Sequence, residues 1–217
     1  MKINLAVFDL DGTLVSSHIT IYKATIRALR ELKINAEVPE KEFYTLIGMH
    51  FEDIFKEFGF SVPDFDHFIS IYKSVYFDYA DSSFIYSGVR ETIDVLMQHQ
   101  IKISLLTTKA QDQAELNLSY FKLIDKFDYV LGRRPGIPNK PSPEALLKIC
   151  RELKVEVSDT IMVGDSELDI YTGKNAGTKT CAVTYGYRTK EELMKTSPDL
   201  LIDKLYDLTE ILNYSNP

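Results

Sequence analysis

Six short apolar runs constrain the fold of this chain more than any other feature: INLAVFD (3–9), IKISLLTT (101–108), FDYVLG (127–132), DTIMVGD (159–165), TKTCAVTYG (178–186) and PDLLID (198–203). They are rich in Val, Ile and Leu with little polar alternation. That predicts strands buried on both faces, as in a parallel sheet covered by helices. Helical patterns lie between them. In SPEALLKICREL (142–153), Ser142 suits an N-cap and Pro143 the first helical position, while Ala145, Leu146, Ile149, Cys150 and Leu153 share one stripe. GVRETIDVLMQHQ (88–100) behaves similarly. The alternation predicts an α/β fold with a doubly wound parallel sheet.

Residues 15 to about 84 break this rhythm. They hold no convincing buried strand, and IYKATIRALREL (21–32), HFEDIFKEFGF (50–60) and DFDHFISIYKSVYFDYA (64–80) read as successive helices, with FGFSVPD (58–64) as a turn. An all-helical insertion after the first strand follows. The 217 residues suffice for one large domain or one domain carrying such an insertion.

A net charge of −7 argues against broad attraction to nucleic acid or anionic lipid, so an anionic ligand needs a local cationic site. Cys150 and Cys181, one on a helix pattern and one on a strand pattern, are expected to be reduced core residues. The N-terminus has one lysine, a short apolar run and then acids, neither a secretory signal nor a membrane span. A cytoplasmic location is the resulting expectation.

In an open parallel sheet, ligands bind outside the carboxyl ends of the strands, where strand order reverses. The first run ends in Asp9-Leu10-Asp11, the second in Thr107-Thr108 and the fourth in Gly164-Asp165, with Asp169 four residues on. Lys140 precedes the helix near Ser142. Residues two apart in a strand point the same way, so Asp9 and Asp11 would both face this edge if extended geometry persisted. With Asp165 they make three carboxylates in a small volume, which is costly without a neutralising cation. Oxygen ligands without His or Cys suit Mg²⁺. Opposite them, Lys140, the Thr107 hydroxyl and backbone N–H groups of the turn at Gly12 would cradle a phosphoryl group, and Asp9 or Asp11 could attack phosphorus.

FDLDGTL (8–14), SLLTT (104–108), KPSPE (140–144) and VGDSELDI (163–170) resemble, in this order, the four motifs of the haloacid-dehalogenase-like hydrolase superfamily. The resemblance implies a Rossmann-like core over 1–14 and 85–217 and an α-helical cap over 15–84. It implies Asp9 as the nucleophile forming an aspartyl-phosphate and Asp11 as general acid and base, with its backbone carbonyl on Mg²⁺. Thr107, Thr108, Lys140 and Gly12 become phosphate-binding residues, and Asp9, Asp11, Asp165 and Asp169 the metal site. The acid at Asp11 favours phosphoryl chemistry over dehalogenation. LIGMHFEDIFKEFG (46–59) and TYGYRTKEEL (184–193) look most like the phosphoglycolate-phosphatase group. The family often has Asp-Ser where this chain has Ser16-Ser17, and Thr-Asn where it has Thr107-Thr108.

The expected substrate is therefore a small phosphorylated metabolite. A β-phosphoglucomutase-like mutase and an inorganic pyrophosphatase use the same acids, and a receiver-like phospho-aspartate module is the non-enzyme rival. Arg133 and Arg134 read as solvated loop charges. His18, His50, His67 and His99 share no ligand spacing. The stripe Phe68, Tyr72, Tyr76 and Tyr79 reads as packing.

Overall fold

The computed structural model describes residues 2–212. Met1 and the last five residues of the expected core, 213–217, lie outside the described residues. The chain divides into two compact units, one running to Leu14 and resuming at Ile85, the other spanning Val15–Phe84.

The first unit is built on β1 (Leu5–Phe8), whose four residues are all buried. β2 (Val15–Ser16) and β3 (Phe84–Ile85) form a separate two-stranded ribbon. The remaining strands are β4 (Lys102–Ala110), β5 (Tyr129–Arg133), β6 (Thr160–Gly164), β7 (Lys179–Val183) and β8 (Leu200–Ile202). Together with β1 they make a six-stranded parallel sheet ordered β5-β4-β1-β6-β7-β8. All six predicted runs therefore contain strands, most of them trimmed at their ends, while β4 and β5 run past the predicted ends to Ala110 and Arg133. β1 lies inside the sheet with Phe8 level with Leu105 and Val163, so the chain order reverses around it.

Helices supply the covering layers. Glu144–Leu153 turns Ala145, Leu146, Ile149 and Cys150 onto Leu5, Val7, Leu106, Leu131 and Met162 of the sheet. Its start is later than expected. The Ser142 N–H donates to Asn139 O, which keeps Ser142 in the preceding turn, and the Pro143 carbonyl is the first helical acceptor, from Leu147 N–H. Cys150 and Cys181 are both free and buried, as expected. The helix Gln111–Tyr120 escaped sequence reading because two of its four buried residues are polar, Gln113 and Asn117, which blurs the apolar stripe.

The second unit contains the helices His18–Glu31, Glu40–Leu46, Phe51–Glu57 and Phe65–Tyr76, followed by a 3₁₀ turn. Glu40–Leu46 is an addition to the expected set; it buries only Phe43 and so carries no periodic signal. Phe51, Phe55, Phe68 and Tyr72 meet edge-on or stacked at ring-centroid distances of 4.8–6.2 Å. Phe68 and Tyr76 are thus packing residues, as read. His18 meets Ser16 Oγ through Nδ1 at 3.2 Å and the Tyr44 ring edge-on, and burial lowers its pKa. Among the described residues no helix is long and apolar enough to cross a membrane.

Leu146 is fully buried under the sheet that carries the site. Leu146→Ala is expected to destabilise the protein by about 2–5 kcal/mol, the range for a large-to-small change in a packed core. Urea unfolding followed by circular dichroism measures it.

Candidate active site

β1 delivers Asp9 to the carboxyl edge of the sheet. Its N–H donates to Val163 O at 2.9 Å, so the ladder to β6 runs one residue past Phe8. A turn follows at once, with Leu10 O accepting from Leu14 N–H at 2.9 Å. Gly12 has φ +93°, and a Cβ there would overlap the Asp165 carboxylate. Both conformation and space therefore require glycine.

This turn corrects one expectation. Extended geometry stops before Asp11, so the two-residue alternation does not carry its side chain to the cluster that Asp9 joins. The Asp11 carboxylate instead accepts from Lys109 Nζ, at 3.2 Å on Oδ1 and 2.9 Å on Oδ2. The acids whose oxygens lie within 4.8 Å of one another are Asp9, Asp165 and Asp169, all buried.

Lys140 ties two of them together. Its ammonium donates to Asp9 Oδ1 at 2.7 Å and to Asp169 Oδ1 at 2.5 Å. Asp169 Oδ2 accepts from Ser166 N–H and Ser166 Oγ–H at 3.1 and 2.7 Å, closing a capping box on the helix Glu167–Ala176. Both Asp169 oxygens thus have protein donors, so this residue holds the lysine and starts the helix. Asp165 accepts from Thr13 Oγ1 at 3.1 Å and from Tyr187 N–H at 2.7 Å.

Three buried carboxylates face one ammonium, and the charge does not balance. Burial pushes the Asp9 carboxyl up to about 7; Lys140 opposes this, while Asp169 and Asp11 add to it. Asp165 rises to about 8, first from burial, then from Asp169 and Asp9, against the Tyr187 N–H and Arg188. Burial alone would lower the Lys140 pKa, but Asp169 and Asp9 reverse this and hold the ammonium charged. An all-oxygen cluster with excess negative charge fits a hard divalent cation.

The end of β4 makes the other wall. Thr107, Thr108 and Lys140 line one hollow together with Arg133, Arg134 and Asn139. The β4–β5 register slips between Leu106 and Ala110, an irregularity of the kind that re-aims side chains beside sites. Lys109 lies within it, and its side chain and that of Asp11 are only 8% and 11% exposed. Sequence reading passed over Lys109, although a lysine at the end of a run that buries its neighbours was the available signal. Arg133 and Arg134 are half-buried, and Arg134 Nε is shielded with no hydrogen-bond partner among the described residues, which does not match solvated loop charges.

Comparison with known proteins matches residues 6–183 to the model of the haloacid dehalogenase-like hydrolases. The chain belongs to that family. It is an enzyme of the hydrolase class. It is 33% identical to pyrophosphatase PpaX of Bacillus cereus over all of this chain and 99% of that protein. The counterpart in Bacillus mycoides is 34% identical, with full coverage of both. A crystal structure named as a predicted phosphoglycolate phosphatase from Haemophilus somnus superposes with a TM-score of 0.83 at 25% identity, covering 97% of this chain and 98% of that one.

The raised carboxyls give a pH signature. An acid whose pKa rises on folding, from 3.8 to about 7 for Asp9 and about 8 for Asp165, binds more protons folded than unfolded within that interval. Their stability contribution is full below about pH 4 and is lost as pH rises toward 8. The metal-free protein should therefore show a melting midpoint that falls across this window, and Asp165→Asn, which needs no proton, should flatten the slope. Scanning calorimetry at stepped pH reads both.

Proposed function

We propose that this hydrolase is a Mg²⁺-dependent phosphatase working through an aspartyl-phosphate on Asp9. The observation that carries the reading is the buried cluster of Asp9, Asp165 and Asp169 joined by the Lys140 ammonium at a strand end. Asp9 and Asp165 would hold Mg²⁺ with the Asp11 backbone carbonyl, and Asp169 would support the site through Lys140. Bound there, the ion would offset the negative charge of the acids and of a phosphoryl group.

The chain's own groups divide the remaining tasks. Lys140 occupies Asp9 Oδ1 and orients the carboxylate for attack on phosphorus, forming the new O–P bond as the bond to the leaving oxygen breaks. Thr107, Thr108, Lys140 and N–H groups of the Gly12 turn hold the phosphoryl oxygens. Asp11 donates a proton to the leaving oxygen, then takes one from the water that hydrolyses the acyl phosphate. Lys109, which holds both Asp11 oxygens here, must release the group for that cycle.

Inorganic pyrophosphate is the first substrate in this reading, supported by full-length similarity to proteins named as pyrophosphatases. A phosphoglycolate-like monoester or sugar phosphate is the second, supported by the Haemophilus somnus structure. Residues 15–84 serve as the cap and the rest as the catalytic core. The free buried cysteines suit a cytoplasmic setting.

Phosphate release from pyrophosphate and from phosphoglycolate, with and without Mg²⁺, tests the proposal. Asp9→Asn should reduce release to background with both substrates, and unchanged release would overturn the reading. Asp11→Asn should slow turnover by about 10²–10⁴-fold, the usual contribution of a positioned acid or base.

A further inference from the structure

Four consecutive residues after β7, Tyr185 to Arg188, each touch the walls of the acidic cluster. The Tyr185 hydroxyl donates to Thr13 O at 2.8 Å, and its ring packs on Tyr86 with centroids 4.7 Å apart. Thr13 in turn donates its hydroxyl to Asp165. A Cβ on Gly186 would overlap Asp165, so this position leaves room for the acid. The Tyr187 N–H donates to Asp165 Oδ2 at 2.7 Å.

Arg188 anchors the far end. Its Nε and Nη2 donate to Glu167 Oε2 and Oε1 at 2.8 and 3.1 Å, a two-point fork. Glu167, two residues past Asp165, opens the helix whose cap contains Asp169. The arginine side chain is 7% exposed, and its Nη1 is shielded with no hydrogen-bond partner among the described residues. An unmet donor on a buried cation costs free energy, and the pair with Glu167, whose side chain is 39% exposed, is screened by solvent and contributes little net stability. Stability therefore gives a poor account of Arg188.

Charge has a mixed effect: Glu167 answers most of it, and what remains favours ionised Asp165 but repels a metal ion. Geometry remains. We propose that Arg188 is a positioning residue for the divalent-metal site: its fork to Glu167 fixes Tyr185–Arg188 against the helix start, so that the Tyr187 N–H holds Asp165 in ligating orientation. This rests on the metal-dependent reading above.

The sign of the effect separates the explanations. Arg188→Met removes the charge and the fork, whereas Arg188→Lys keeps the charge and loses the fork. Titration calorimetry of Mg²⁺ into the full-length protein, without substrate, should show weaker binding in both variants, by about 10–100-fold as is usual for residues that orient a ligand. The metal-free melting midpoint of Arg188→Lys should stay near wild type. Unchanged affinity in Arg188→Lys, or tighter binding in Arg188→Met, overturns the proposal; if Arg188→Met does not fold, Arg188→Lys decides alone. Asp165→Asn serves as the control. Binding lost in Asp165→Asn but intact in Arg188→Lys sinks only the role of Arg188, whereas a wild-type protein that binds no Mg²⁺ sinks the metal-dependent reading and this proposal together.

Discussion

The ammonium of Lys140 is the contact on which the rest of the site depends. It joins the end of β1, through Asp9, to the start of the helix after β6, through Asp169. Taking such charges out of water costs several kcal/mol per ion, and their mutual attraction seldom returns more than that. The arrangement is better understood through what it permits. Without Lys140, Asp9 and Asp169 would face each other and Asp165 with no compensating charge. With it, negative charge still exceeds positive, and burial first, then the neighbouring acids, raise the pKa values of Asp9 and Asp165. The cluster is thus poised for one more cation.

Sheet order explains why these residues meet. β1 is flanked by β4 and β6, all parallel, so the carboxyl ends of three neighbouring strands open on one edge. One end carries Thr107 and Thr108, the next Asp9, the third Asp165. The reversal of strand order around β1 leaves the crevice in which such folds place their ligands. Acidic and cationic walls then follow from which strand supplies which residue.

Much of this was legible in the sequence. Strand positions, the helical character of 15–84 and the residues Asp9, Asp165 and Thr107 follow from apolar runs and from what stands at their ends, and Lys140 from its place before a helix start. The illegible parts depend on departures from regular geometry. Asp11 leaves the cluster because the chain turns after Asp9, which strand periodicity cannot express. Lys109 reaches Asp11 across an irregular stretch of β4. Asp169 meets Lys140, 29 residues away, only through the fold. Tyr187 contributes a backbone N–H, and backbone groups leave no mark in side-chain patterns.

The separation of the partners along the chain governs when the site comes into being. Asp9 and Lys140 are 131 residues apart, and Thr13 and Asp165 are 152 apart. Closing such long loops has an entropic cost that only completed strand pairing offsets. During synthesis the amino-terminal acids emerge first, but their partners follow only when most of the chain has been made. A nascent or truncated chain ending before Tyr187 therefore carries the carboxylates without their full set of donors. In this architecture the site is complete only when groups from both ends of the core, Asp9 and Tyr187 among them, are in place.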